Sequence, residues 1–136
     1  REICDSVDES HEEEQHKYFD GANVPARAIS LMFNMRSSDV PLGLPFNIAS
    51  YALLLEIISK EVNMVPDELI TNLGDAHIYK NQIDSIEKQL TREPYKLPKL
   101  DIHPGILDYE LDKLDIDMFT LVDYKCHPSI KIPLSN

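Results

Sequence analysis

The sequence has no apolar run long enough to cross a membrane, few cations and only two cysteines. Each shortage removes a class of function. A membrane-spanning helix needs about 20 consecutive apolar residues. The longest apolar stretch here, Ile48 to Ile58, is broken by Ser50 and Glu56. No charged-then-apolar leader is visible. The chain opens on Arg1 rather than Met, and more protein is expected upstream. Lys and Arg number 13 against 24 Asp and Glu, for a net charge of -11. That balance argues against nonspecific nucleic-acid binding and against anionic membranes. An anionic substrate would need a local cluster of cations. Cys4 and Cys126 are far apart and have no CxxC spacing, so neither a zinc site nor a disulfide framework is indicated. Two idle thiols fit a reducing compartment, and a cytoplasmic location is expected. The histidines show no ligand spacing with acidic partners, so no metal is expected. His11 and His16 lie in an acidic stretch that would hold a stray cation weakly.

What remains is enough for one modest domain of 136 residues with its own core. Residues 1–26 read as an acidic arm, by composition a solvated insertion or a mobile arm, and residues 27–136 as the globular part. Glu2, Asp5, Asp8, Glu9, Glu12, Glu13, Glu14 and Asp20 crowd the arm, which is poor in β-branched residues. Glu12 to Phe19 has the composition of a short helix.

Ile29, Leu31, Phe33 and Met35 alternate with Ala28, Ser30, Met32 and Asn34, the period of a strand. Pro41, Gly43 and Pro45 then impose an irregular loop. From about Phe46 to Val62 the pattern is helical and apolar almost all round, which predicts one long, largely buried helix. Pro66-Asp67 is read as a turn. Glu68 to Leu73 reads as a strand, interrupted by Gly74-Asp75 and resumed at His77-Ile78-Tyr79. Asn81 to Arg92 is a surface helix with an Ile83, Ile86, Leu90 stripe. Leu97 to Ile102 reads as an edge strand, Ile106 to Leu114 as a short helix, and Asp117 to Tyr124 as a strand. Helices and strands mix without βαβ alternation, so the expected fold is α+β, with helices on a layer of mixed sheet.

Three stretches carry the chemistry: Arg36-Ser37-Ser38-Asp39, the run Leu42-Gly43-Leu44-Pro45-Phe46-Asn47-Ile48-Ala49-Ser50-Tyr51, and Gly74-Asp75-Ala76-His77-Ile78-Tyr79. They resemble the RSxD, LGLPFNIASY and GDxHxY motifs of thymidylate synthases, in the family's order and spacing. Gln89 to Pro94, Leu97 to Leu100 and His127 to Lys131 match as well. The resemblance runs from about Ala28 to Leu134. It implies reductive methylation of dUMP to dTMP with methylenetetrahydrofolate as cosubstrate, giving dihydrofolate, in a homodimer. The family's nucleophilic cysteine sits in a PCH motif, and this chain has none. Cys4 lies in a context that matches no motif, and Cys126 beside His127 reads as a plain tail residue. The nucleophile is therefore expected before Arg1, and the chain alone is expected to be inactive.

The residues suit that chemistry. Arg36 is a permanently charged fork for a phosphate, and Ser37 adds a hydroxyl. The Asn47 amide offers a donor to uracil O4 and an acceptor to N3–H, and places a donor where enolate charge develops. As a residue opening the long helix, Asn47 also suits an N-cap, and both roles stay open. His77 and Tyr79 fall two apart on one strand face. The resemblance assigns this pair to the deoxyribose 3′-hydroxyl. It also gives Asp39 a part in binding the folate pterin and ordering the site, while an aspartate after a strand equally caps a turn. Leu42, Gly43 and Phe46 would line the folate side, or serve as packing. Ser50 and Asp75 are read as supporting groups. Two rivals remain. One is a deoxyuridylate hydroxymethylase, which adds water in place of hydride. The other is a non-catalytic half of a split or degenerate synthase.

Overall fold

The structure is a computed structural model that describes residues 9–22 and 24–135. Cys4 and the first part of the acidic arm lie outside the described residues. The chain divides into two units. One holds the described residues up to Met35 together with Asn47–Asn72; the other holds Arg36–Phe46 and Leu73 onward.

The first unit begins with α1, Glu9–Gly21, longer at both ends than the short helix expected. Its described side chains are exposed except for the half-buried His16. The chain leaving it is pinned by Arg27, whose guanidinium reaches the Asp20 carboxylate at 2.9 Å. Strand β1, Ala28–Met35, shows the predicted alternation: Ile29, Leu31, Phe33 and Met35 turn inward and their neighbours are exposed. Phe33 is only 6% exposed. Its ring stacks on Tyr51 of helix α2, Leu44–Glu61, with centroids 3.9 Å apart.

Strand β3, Val65–Leu73, pairs with β1. Val65 N–H donates to the Arg27 carbonyl, Ser30 Oγ meets Asp67, and the Asn72 amide donates to Asn34 at 2.9 Å. These contacts advance in the same sense on both strands, so the pair runs parallel. The turn expected at Pro66 is in fact made earlier. Asn63 adopts a left-handed φ of 50° at the end of α2. Met64 N–H donates to the Ser59 carbonyl and Asn63 N–H to that of Lys60. This is the Schellman closure, which satisfies two orphan carbonyls and suits Asn, the non-glycine residue most at ease there. Pro66 lies within β3, where a two-stranded sheet leaves an edge that needs no donor.

One expectation is not met. Helix α2 is long, but only Leu55 and Ser59 are buried along it. Phe46 is 73% exposed and Ile48 44%. An apolar helix is buried only where another surface faces it. Among the described residues Phe33 of β1 meets it at Tyr51, and much of the rest stays half-buried or exposed.

In the second unit, β2 (Ser38–Asp39) and β4 (Ala76–His77) pair in parallel, Ser38 opposite Ala76 and Asp39 opposite His77. A 3-10 turn at Lys80–Gln82 leads into α3, Ile83–Leu90, which has no buried residue and is the surface helix foreseen. Strands β5 (Lys99–Ile102) and β6 (Phe119–Val122) pair antiparallel, joined by 3-10 turns where a short helix was expected. Ile102 and Ile106 form the small core here. The fold is α+β, with its described strands in three two-stranded sheets rather than a single layer. Among the described residues no helix is long and apolar enough to cross a membrane.

Candidate functional site

The second unit gathers most of the residues singled out from sequence. The two-residue ladder between β2 and β4 places the Arg36–Asp39 stretch beside the Gly74–Tyr79 stretch. Ser38 N–H donates to the Asp75 carbonyl at 2.8 Å, and Val40 N–H to that of His77 at 3.0 Å. That backbone pairing brings two distant sequence words to one edge.

Asp75 links their side chains. Its carboxylate accepts from Ser37 Oγ at 3.4 Å and lies 3.6 Å from His77 Nδ1. The same His77 nitrogen is 3.3 Å from the Asp75 carbonyl oxygen. Tyr79, just beyond β4, sets its ring edge-on to His77 with centroids 5.0 Å apart. The two rings thus meet, but the strand expected to run on through Tyr79 ends at His77, and Tyr79 caps the 3-10 turn that follows. Arg36 is exposed beside this cluster and has no ion pair among the described residues.

Both carboxylate oxygens of Asp39 accept hydrogen bonds. Its Oδ1 accepts from Leu42 N–H at 3.1 Å, and its carbonyl accepts from Gly43 N–H at 2.9 Å, which closes the Val40–Gly43 turn. Its Oδ2 accepts from Gln82 Nε2 at 3.0 Å. No glycine among the described residues has a positive φ, so the turn through Gly43 is closed by ordinary backbone angles. Leu42 and Gly43 are half-buried and Phe46 is exposed. Leu42 and Phe46 border an open cleft of about 620 Å³ with Arg92, Tyr95, Cys126 and His127. Asp39, His77 and Tyr79 do not line it. Cys126 is exposed and unpaired. Its hydrogen bond and charge push the neighbouring Tyr124 phenol above its ordinary pKa.

Asn47 belongs to the first unit. It is half-buried, and its side chain makes no hydrogen bond among the described residues. Helix α2 starts at Leu44, three residues earlier, so Asn47 is not the N-cap. The structural role that competed with base recognition is removed.

Gln82 was not foreseen from sequence. It is fully buried. Its Oε1 accepts from Tyr79 N–H at 3.1 Å, and its Nε2 serves both Asp39 and the Pro133 carbonyl, the latter at 3.2 Å. The available signal was weak: a Gln three residues into a helical turn can bond back to the capping N–H, but Tyr79 is not a typical capping residue. The tail it holds is also tied at other points. Arg92 donates to the Pro128 carbonyl at 2.8 Å, His127 Nε2 meets the Glu93 carbonyl at 2.8 Å, and Ser135 Oγ donates to Asn81 at 2.7 Å.

A sequence model of the thymidylate synthase family matches residues 15–136. The chain belongs to the thymidylate synthase family. It is 46% identical over 107 residues to the thymidylate synthase of Saccharomyces cerevisiae, covering 79% of this chain and 34% of that protein. It is likewise 46% identical over 105 residues to the thymidylate synthase of Mycoplasma pneumoniae, covering 76% of this chain and 35% of that one. The chain thus spans about a third of the length of these thymidylate synthases. Among the described residues no cluster of His, Cys, Asp and Glu is arranged to hold a metal ion.

Proposed function

We propose that this chain supplies nucleotide and folate contacts of a thymidylate synthase, an enzyme that reductively methylates dUMP to dTMP with methylenetetrahydrofolate and releases dihydrofolate. The observation that carries the reading is the β2–β4 ladder, which sets Asp39 opposite His77, with Ser37 hydrogen-bonded to Asp75 next to it. A phosphate, a sugar and a folate need such neighbouring groups. Arg36 and Ser37 take the phosphate. His77 and Tyr79 hold the sugar hydroxyl. Asp39, Leu42, Gly43 and Phe46 face the folate, and Asn47 reads uracil.

The chemistry requires a thiolate to add to C6 of uracil, which turns C5 into a carbon nucleophile. Cys126 is poorly suited: it is exposed in the tail and lies in no PCH motif. The thiolate comes from polypeptide beyond these 136 residues, in line with the share of the relatives' length covered here. A homodimer in a reducing cytoplasm fits the family membership and the unpaired Cys126. Residues 1–26 are read as the end of an insertion between the nucleophile's strand and the Arg36–Asp39 stretch.

The test compares residues 1–136 alone with the same chain joined to an upstream segment bearing a PCH motif. Dihydrofolate formation is followed spectroscopically. The joined protein turns over and the isolated chain does not. Turnover by the isolated chain, abolished by Cys4→Ser or Cys126→Ser, overturns the assignment of the nucleophile. Hydroxymethyl-dUMP in place of thymidylate, read by product mass, overturns the assignment of the reaction.

A further inference from the structure

A fully buried amide is retained only when its donors and acceptor are satisfied. Gln82 meets that condition with three partners from three segments. Its oxygen takes the N–H of Tyr79. Its nitrogen has two hydrogens; one goes to the Asp39 carboxylate and the other to the Pro133 carbonyl. Asp39 in turn holds the Leu42 N–H with its other carboxylate oxygen. A continuous chain of hydrogen bonds therefore runs from Leu42 through Asp39 and Gln82 to the tail, with a branch to Tyr79. Hydrogen bonds in such chains polarise one another in a low dielectric, and a buried member left unpaired is costly.

We infer that Gln82 is a positioning residue: it orients the Asp39 carboxylate on the folate side and fastens the carboxyl-terminal segment, through Pro133, to the same point. The inference rests on the functional reading above, which gives Asp39 its place beside the folate. Three features separate this role from ordinary packing. Gln82 is the one fully buried amide side chain among the described residues. Its partners come from both of the sequence words that meet at the β2–β4 ladder. Its two ends also act on different things: the oxygen steadies Tyr79 on the sugar side, and the nitrogen steadies Asp39 and the tail.

That division makes a clean test in the intact enzyme. Gln82→Glu keeps an oxygen for Tyr79 N–H but puts a second acceptor where Nε2 stood, facing the Asp39 carboxylate and the Pro133 carbonyl. Hydrogen bonds to charged groups are the strong ones. The KM for the folate should rise about tenfold or more, with the Kd for dUMP nearly unchanged. Gln82→Met removes both ends, so folate KM and dUMP Kd should rise together. A merely structural residue would lower the amount of active enzyme in both variants and leave the two constants alone. If neither variant folds, hydrogen exchange on the wild type decides. Folate binding should increase the protection of the Leu42 and Tyr79 amides together; protection of Leu42 without Tyr79 overturns the linkage. Wild-type turnover is the control. Its absence overturns the functional reading and this inference with it. An active wild type with an unmoved folate KM in Gln82→Glu overturns this inference alone.

Discussion

Asn47→Asp in the intact enzyme separates base recognition from helix stability. Uracil presents an N3–H donor and an O4 acceptor. An amide held with its oxygen toward N3 and its nitrogen toward O4 satisfies both. A carboxyl group replaces the donor facing O4 with an oxygen, whereas in its protonated form it can donate to N3 of cytosine and accept from the cytosine amino group. Each reversed contact in a desolvated site costs about 1–3 kcal/mol. Asn47 is half-buried rather than sealed, which favours the lower end of that range. Two contacts at the lower end amount to roughly 2–3 kcal/mol, or about 10²-fold in the preference for dUMP over dCMP. The helix should not suffer. Its first turn contains no acidic residue, and Asn47 is not its cap. A carboxylate close to a helix N-terminus adds about 0.3–1 kcal/mol of stability. The assay is kcat/KM for dUMP and dCMP in competition, with thermal unfolding of the same preparation. A folded Asn47→Asp protein whose preference stays within about threefold of wild type would refute base recognition by this amide.

Two further outcomes follow from the geometry. Asp75→Ala should raise the nucleotide KM only a fewfold, because His77 keeps the residue-75 backbone carbonyl at 3.3 Å and the lost carboxylate is 69% exposed and well screened. Steady-state kinetics would overturn that reasoning with a loss beyond about a hundredfold, which would put Asp75 on the reacting atoms. Phe33→Ala should cost about 3–5 kcal/mol of stability in urea unfolding, since the ring is nearly sealed and stacked on Tyr51. A loss below about 1 kcal/mol would mean that Phe33 does not hold β1 to α2.

The parts of the fold that sequence made legible are those whose signal is local. Strand β1 declared itself through alternation, and its burial follows the same period. Helix α3 did so through one stripe. The Pro66 turn was misplaced because proline was taken as a breaker when the break belonged to Asn63. Asn tolerates a left-handed φ, but many Asn residues never use it, so its presence alone is a weak sign. The Ile106–Leu114 helix resolved into 3-10 turns, which share the helical period over so short a span.

Burial and partnership are not local, and there the sequence said less. An all-round apolar pattern shows that α2 can be buried, not that a surface faces it. The exposed Phe46 and Ile48 mark where that second condition fails among the described residues. The candidate site divides the same way. Arg36, Ser37, Asp39, His77 and Tyr79 could be singled out as candidates because each sits in a motif with a fixed neighbour. Gln82 was not, because its meaning lies in Asp39, 43 positions before it, and Pro133, 51 positions after it. A buried amide is specified by the groups that converge on it, and convergence is a property of the fold. It follows that Asp39 cannot be treated as a free carboxylate waiting for a ligand. Both of its oxygens already accept hydrogen bonds, from Leu42 and from Gln82. Any ligand it takes must use the remaining lone pairs of a group whose direction is already set.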